Sequence, residues 1–198
     1  MKSEKPLSFI FIGPSGSGKG TQVTILKEYL ENKDNYKILY IETGARFRKF
    51  IQSDSFSSKL SNDIYKTGAR QPDFLAVWIW ADLAISQVTK DEHIIFDGTP
   101  RSLPEAKIFD TAIQFYDIKP FVVYMKLSRE TSLKRLIARG RMDDKTDAEI
   151  NKRLDWFEAD VMPAVEHFKV SPLYHFIELD AERSIDEIHK DLISHIES

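Results

Sequence analysis

The residues with the clearest chemical potential run from position 13: Gly13-Pro14-Ser15-Gly16-Ser17-Gly18-Lys19-Gly20-Thr21. They follow a short apolar run and precede a helical pattern, which is the setting a phosphate-binding loop requires. Glycines at 13, 16 and 18 permit tight turns, so that the N–H groups of the loop, Ser15 and Ser17 included, gather around an anion. A helix starting near Lys19 adds the positive end of its dipole. Lys19 supplies a mobile cation for β- and γ-phosphates, and Thr21 a hydroxyl near a metal ion. A glycine-serine turn with an incidental lysine would not bring this spacing together with a strand before it and a helix after it. In one respect the loop departs from the general pattern. Serine or threonine ordinarily follows the lysine directly, whereas Gly20 stands between Lys19 and Thr21 here.

Such a loop must sit at the end of a buried strand, and the rest of the chain supplies the frame. Short β-branched or aromatic runs occur at 8–12, 38–41, 93–96, 121–127 and 174–179. Several are apolar on successive residues, as strands covered on both faces are. Helical patterns lie between them, at 19–30, 55–66, 73–88, 104–115, 130–139, 147–168 and 185–196. This alternation predicts an α/β unit with a five-stranded parallel sheet and helices on both faces. Thr146–Glu149, Ser102–Glu105 and Ser184–Glu187 each place a hydroxyl three residues before a carboxylate, the form of a capping box. With no repeats or linkers, residues 1–198 read as a single domain.

Composition narrows the function classes. The chain has 198 residues, 28 basic and 31 acidic, for a net charge of -3. A protein that coats long nucleic acid by bulk charge would be basic. There is no cysteine, which excludes disulfides, a thiol nucleophile and any cysteine-built zinc site. The most apolar stretch, 74–85, is interrupted by Asp82 and is too short to span a bilayer. The N-terminus has no signal-peptide core. The expectation is a cytoplasmic monomer without a membrane partner.

The Gly-Lys-Gly-Thr variant of the loop resembles the adenylate kinase family and its nucleoside-monophosphate kinase relatives. Three further segments, in order, carry the resemblance. Thr43-Gly44-Ala45-Arg46-Phe47-Arg48 is similar to the family's Thr-Gly-Asp-x-x-Arg, with Ala45 in place of the acid. Asp97-Gly98-Thr99-Pro100-Arg101 is similar to Asp-Gly-Phe-Pro-Arg, with Thr99 departing. Lys134-Arg135-Leu136, Arg139, Arg141, Asp143 and Asp144, then Lys152-Arg153-Leu154, resemble the flanks and body of the family's lid. The resemblance implies a phosphate-loop nucleotide kinase fold with a helical acceptor-binding region over 43–85 and a short lid loop over 140–145. It implies transfer of the γ-phosphoryl of Mg-ATP to a nucleoside monophosphate. Arg48 and Arg101 would hold the acceptor phosphate, together with Thr43, Gly44 and Gly98. Arg135, Arg141 and Arg153 would hold the transferring phosphoryl and donor phosphates, and Arg139 would lie against the donor base. Asp97, with Thr21, would hold Mg2+ through water. Asp143 and Asp144 would organise the lid around Arg141. Arginine suits these tasks because its planar fork stays charged and binds phosphate oxygens in pairs. Six of the ten arginines fall in these positions, so the mildly acidic total averages over a cationic cleft.

The acceptor base is less determined. In the family a glutamine after Pro-Arg reads adenine, donating to N1 and accepting from N6; Glu105 stands at that position. A carboxylate accepts from the adenine amino group but donates to N1 only when protonated, and it pairs more fully with guanine. Glu105 also completes the Ser102 capping box, and the two roles are compatible. Arg70 and Gln71 replace the small apolar residues that precede Pro72 in the family, and Gln71 is a candidate base contact. AMP leads as acceptor, with GMP, CMP, UMP and dTMP as alternatives. A kinase for an unphosphorylated acceptor is disfavoured by the Arg48–Arg101 pair. A nucleotide-dependent switch without kinase activity would need a γ-phosphate-sensing loop that no segment resembles.

Overall fold

The computed structural model describes residues 5–139 and 146–198. Five strands form one parallel sheet: β1 (Ser8–Ile12), β2 (Lys37–Glu42), β3 (Glu92–Asp97), β4 (Phe121–Lys126) and β5 (His175–Asp180), in the order β2-β3-β1-β4-β5. The central strand β1 is buried throughout. Its side chains alternate between the faces. Ile10 and Ile12 enter one core layer with Phe96, Trp80, Phe109 and Phe168. Phe9 and Phe11 enter the other with Val23, Leu26, Leu30, Ile188 and Leu192. A strand with two buried faces has no polar side to write into its sequence, hence its unbroken apolar run.

Helices cover both faces. α1 (Lys19–Lys33) and α9 (Ile185–Glu197) carry the second layer. α4 (Asp73–Gln87), α5 (Leu103–Phe115) and α8 (Met162–Val170) carry the first, where Trp80 and Phe96 meet Phe109 at ring-centroid distances of 4.7 and 4.8 Å. α2 (Thr43–Phe50) and α3 (Phe56–Lys66) join α4 between β2 and β3. α6 (Arg129–Arg139) follows β4, and α7 (Asp147–Trp156) comes before α8.

Three local outcomes differ from the sequence expectation. α2 was not expected as a helix: Gly44 lies in its first turn, and no side chain caps it. Packing overrides that weak propensity, because Phe47 is buried with its ring 6.4 Å from Phe50 and 6.1 Å from Tyr65. The helix expected over 147–168 is interrupted by a π turn at Phe157–Val161. Pro163 lies in the first turn of α8 and has no N–H to donate, and the helix widens just before it. The capping boxes at Thr146 and Ser184 form in full. The one at Ser102 forms by half: its Oγ accepts from Glu105 N at 3.2 Å, but the Glu105 carboxylate turns to Arg101 N and Thr99 instead. No helix among the described residues is long and apolar enough to cross a membrane.

Candidate active site

Gly13 to Thr21 leaves the carboxyl end of β1 and turns into α1. Gly16 and Gly18 take φ of 86° and 89°, the left-handed region that glycine enters without strain. Gly13 is needed for space instead: a Cβ there would lie 2.7 Å from Met125 O and 2.8 Å from Ser17 Oγ. No side chain caps α1 and its first turn has no acid, so its N-terminal N–H groups and dipole keep their positive character. Lys19 Nζ donates to Gly13 O at 2.7 Å and Pro14 O at 3.0 Å, holding the cation over the loop. Burial lowers its pKa to about 8; Asp97 opposes this, and Arg101 and Arg139 add to it. A Cβ on Gly20 would meet nothing within 4 Å, and Thr21 is exposed one position further on.

α6 lies against this loop. Ser132, fully buried, donates its hydroxyl to Ser15 O, and a Cβ on Gly16 would come within 3.4 Å of Leu136 Cγ. Arg135 Nη1 approaches Gly16 O at 3.4 Å. Arg139 is exposed on the last turn, close enough for its charge to act on Lys19. Leu136, Ile150 and Leu154 form a small apolar cluster between α6 and α7, which fixes Arg153 beside Leu154 as a half-buried residue. Arg129 braces the same pair of helices: it donates to Asn151 Oδ1 at 2.9 Å and pairs with Asp155 at 2.7 Å. The start of α6 is held by Glu182, whose Oε1 accepts from Ser128 N at 3.0 Å. The Ser128 hydroxyl, then that backbone bond and the Thr131 hydroxyl, hold the carboxyl at about 2.

Asp97 ends β3 beside the loop, and its Oδ2 accepts the Tyr40 hydroxyl at 2.8 Å. Burial, then the Asp97 charge, push the Tyr40 phenol well above its ordinary range. Asp97 and Thr21 offer hard oxygen donors, the kind Mg2+ takes sparingly while it completes its shell with phosphate oxygens and water. This donor set fits a Mg-nucleotide.

A narrow cleft opens at Gly98, the residue after Asp97. Thr43, Phe47, Arg70, Gln71, Ala76, Ile79, Gly98, Thr99, Arg101 and Glu105 line it. Thr43 Oγ1 lies 3.1 Å from Asp97 O and 3.0 Å from Gly98 O. Arg101 donates Nε to Gly98 O at 2.7 Å and Nη2 to Thr43 Oγ1 at 3.3 Å. A Cβ on Gly44 would lie 3.2 Å from Arg48 Nη1 and 3.9 Å from Arg101 Nη2, so the two guanidinium groups converge at that glycine. Arg48 also pairs with Glu42 at 3.2 Å.

Glu105 is 1% exposed. Its Oε1 accepts the Thr99 hydroxyl and its Oε2 accepts Arg101 N at 2.7 Å. Burial pushes its carboxyl up against the pull of those two donors. Arg70 donates Nη1 to Asp73 Oδ1 at 2.5 Å, and its Nε lies 3.3 Å from Asp160 Oδ2 in the π turn. Gln71 is bonded at both ends to Ser61: its Oε1 accepts Ser61 Oγ at 2.7 Å and its Nε2 donates to Ser61 O at 3.0 Å.

The described residues named from the sequence fall mostly into two neighbouring groups, with Arg153 on α7 beside Leu154. Gly13 to Thr21, Asp97, Arg135 and Arg139 surround the phosphate loop. Thr43, Gly44, Arg48, Arg70, Gln71, Gly98, Arg101 and Glu105 surround the cleft. Arg141, Asp143, Asp144 and the whole of the expected lid, 140–145, lie outside the described residues. The sequence motifs do not point to Tyr40, Ser61, Asp73, Ser132 and Asp160, which hold named residues, or to Glu182, which holds the start of α6. Asp73 alone had a local signal, an acid in a first helical turn. The others act across the fold.

A family model described as adenylate kinase matches residues 11–172. An adenylate kinase of Mesomycoplasma hyopneumoniae (strain 7448) is 32% identical, covering 94% of this chain and 96% of its own. One from Prochlorococcus marinus (strain MIT 9515) is 30% identical over 87% of this chain and 90% of its own. One from Flavobacterium psychrophilum is 27% identical over 94% and 96%. With the phosphate loop at β1, the paired arginines across Asp97 and matches along most of its length, the chain belongs to the adenylate kinase family and is a nucleoside-monophosphate kinase.

Proposed function

We propose that the protein reversibly transfers the γ-phosphoryl of Mg-ATP to AMP, giving two ADP. The observation that carries this reading is the convergence of Arg48 and Arg101 at Gly44, near enough to the phosphate loop for the Arg101 and Asp97 charges to act on Lys19. Two separate cationic sites suit two phosphorylated substrates, and the relatives' name supplies AMP as the acceptor.

The chemistry asks the protein for position and charge more than for covalent steps. Backbone N–H groups of 13–21 and Lys19 hold the donor phosphates. Arg48 and Arg101 hold the acceptor phosphate in line, with Thr43, Gly44 and Gly98 shaping its seat. Arg135, Arg141 and Arg153 stabilise charge on the moving phosphoryl, and Arg139 lies against the donor base. Asp97 and Thr21 would hold Mg2+ through water; the ion, when bound, neutralises phosphate charge. Segment 43–85 serves as the acceptor region and 140–145 as a short lid, where Arg141, Asp143 and Asp144 close the site against water within a single domain.

The test is Arg101→Ala, measured by steady-state kinetics and by ATP binding. The expected result is a loss of about a hundredfold or more in kcat/KM for the acceptor, with ATP affinity changed much less. An acceptor kcat/KM within threefold of the parent would overturn the assignment.

A further inference from the structure

The cleft is lined by one acidic residue, Glu105, and two basic ones, Arg70 and Arg101; with Arg101 turned to Gly98 and Thr43, Glu105 and Arg70 are left to meet a base. Glu105 is buried and ionisable, and its two oxygens already accept from Thr99 and Arg101 N, one bond each. An ionised carboxylate has about four acceptor sites, so each oxygen keeps one. Arg70 spends Nη1 on Asp73 and Nε on Asp160; among the described residues no bond leaves its Nη2. Phe47, Ala76 and Ile79 give the same cleft apolar walls suited to a flat ring.

Those charges can be compared with the edges of the bases. Adenine shows one donor, N6–H, beside the N1 acceptor. A second carboxylate oxygen would face that lone pair without a proton between them. Guanine shows two adjacent donors, N1–H and N2–H, beside the O6 acceptor. A carboxylate matches the first two and a guanidinium the third, all with charge assistance.

We infer that the acceptor cleft also takes GMP, with N1–H and N2–H donating to Glu105 and O6 accepting from Arg70. This rests on the cleft being the acceptor site, as proposed above. Glu105 and Arg70 are then specificity-determining residues, while the phosphate seat at Arg48 and Arg101 serves either purine.

The experiment measures diphosphate formation from Mg-ATP with AMP, GMP and IMP, for the parent, Glu105→Gln and Arg70→Met. GMP is expected within about tenfold of AMP in kcat/KM, or above it. IMP, which lacks N2–H, is expected about tenfold below GMP, the loss of one hydrogen bond to a charged group. Glu105→Gln should lower the GMP-to-AMP ratio at least about tenfold, since an amide restores the donor that adenine N1 needs, and Arg70→Met should lower it in the same direction. GMP at a hundredth of AMP or less, or IMP equal to GMP, overturns the inference while leaving the kinase reading intact. A ratio unmoved by both variants does the same, because loss of the Thr99 and Arg101 bonds alone would affect both acceptors equally. No diphosphate from any acceptor would instead overturn the reading on which the inference rests. The parent enzyme with IMP needs no substitution, so the test survives a variant that fails to fold.

Discussion

The Tyr40 hydroxyl donates to Asp97 Oδ2 over 2.8 Å, so a side chain on β2 orients the carboxylate that ends β3. The two strands pair in register from Lys37 and Glu92 to Glu42 and Asp97, which places the phenol beside the carboxylate. Tyr40→Phe keeps the ring and removes the bond. The expected result is a loss of about tenfold to a hundredfold in kcat at fixed Mg-ATP, with a raised Mg2+ requirement, from one hydrogen bond to a charged group. Kinetics across a Mg2+ series check it, together with calorimetric binding of ATP with and without the ion. Equal losses in both binding experiments would mean that Tyr40 acts on the nucleotide and not through Asp97.

Lys19 gives a second prediction. Its pKa is lowered to about 8, chiefly by burial, against 10.5 for an ordinary lysine. Below about pH 8 the folded and unfolded chains both hold this proton. Between about 8 and 10.5 only the unfolded chain holds it, so this group's contribution to stability rises with pH across that window. A triphosphate beside Lys19 favours the charged form, which makes binding take up a proton. Near pH 8 the uptake should be on the order of half a proton, read from ATP-binding enthalpies in buffers of different ionisation heat. The effect should vanish in Lys19→Met. Enthalpies independent of buffer in the parent would contradict it.

Away from the site, the full capping box at Ser184 makes a local prediction. Ser184 Oγ accepts from Glu187 N at 3.4 Å, and Glu187 Oε2 accepts from Ser184 N at 3.0 Å. Ser184→Ala should cost about 1 kcal/mol in denaturant unfolding, with unchanged turnover of Mg-ATP and AMP. A loss under about 0.3 kcal/mol would mean that packing of Ile188 and Leu192 alone holds the start of α9.

What the sequence made legible follows from how local each signal is. The phosphate loop, the strands and two capping boxes rest on neighbours within a few residues, and they appear where expected. Buried strands such as β1 are readable because both faces demand apolar side chains. α2 was hidden because Gly44 and the absence of a capping side chain argue against a helix, and only the contacts of Phe47 with distant rings reverse that. The same holds in the site. Lys19 could be named from the spacing of the loop, and Arg48 and Arg101 from the family resemblance. The bond from Tyr40 to Asp97, and that from Arg70 to Asp160, join residues 57 and 90 positions apart. Glu105 lies between these cases. Its identity was plain, but its choice of Thr99 and Arg101 N over the Ser102 backbone depended on burial.

The most direct measurement follows ADP and inorganic phosphate together when the protein is given Mg-ATP with and without AMP. ADP should appear only with AMP, two per AMP consumed, with no matching release of phosphate. ADP accompanied by an equal amount of phosphate, at a rate indifferent to AMP, would show a hydrolase and contradict transfer between two nucleotides.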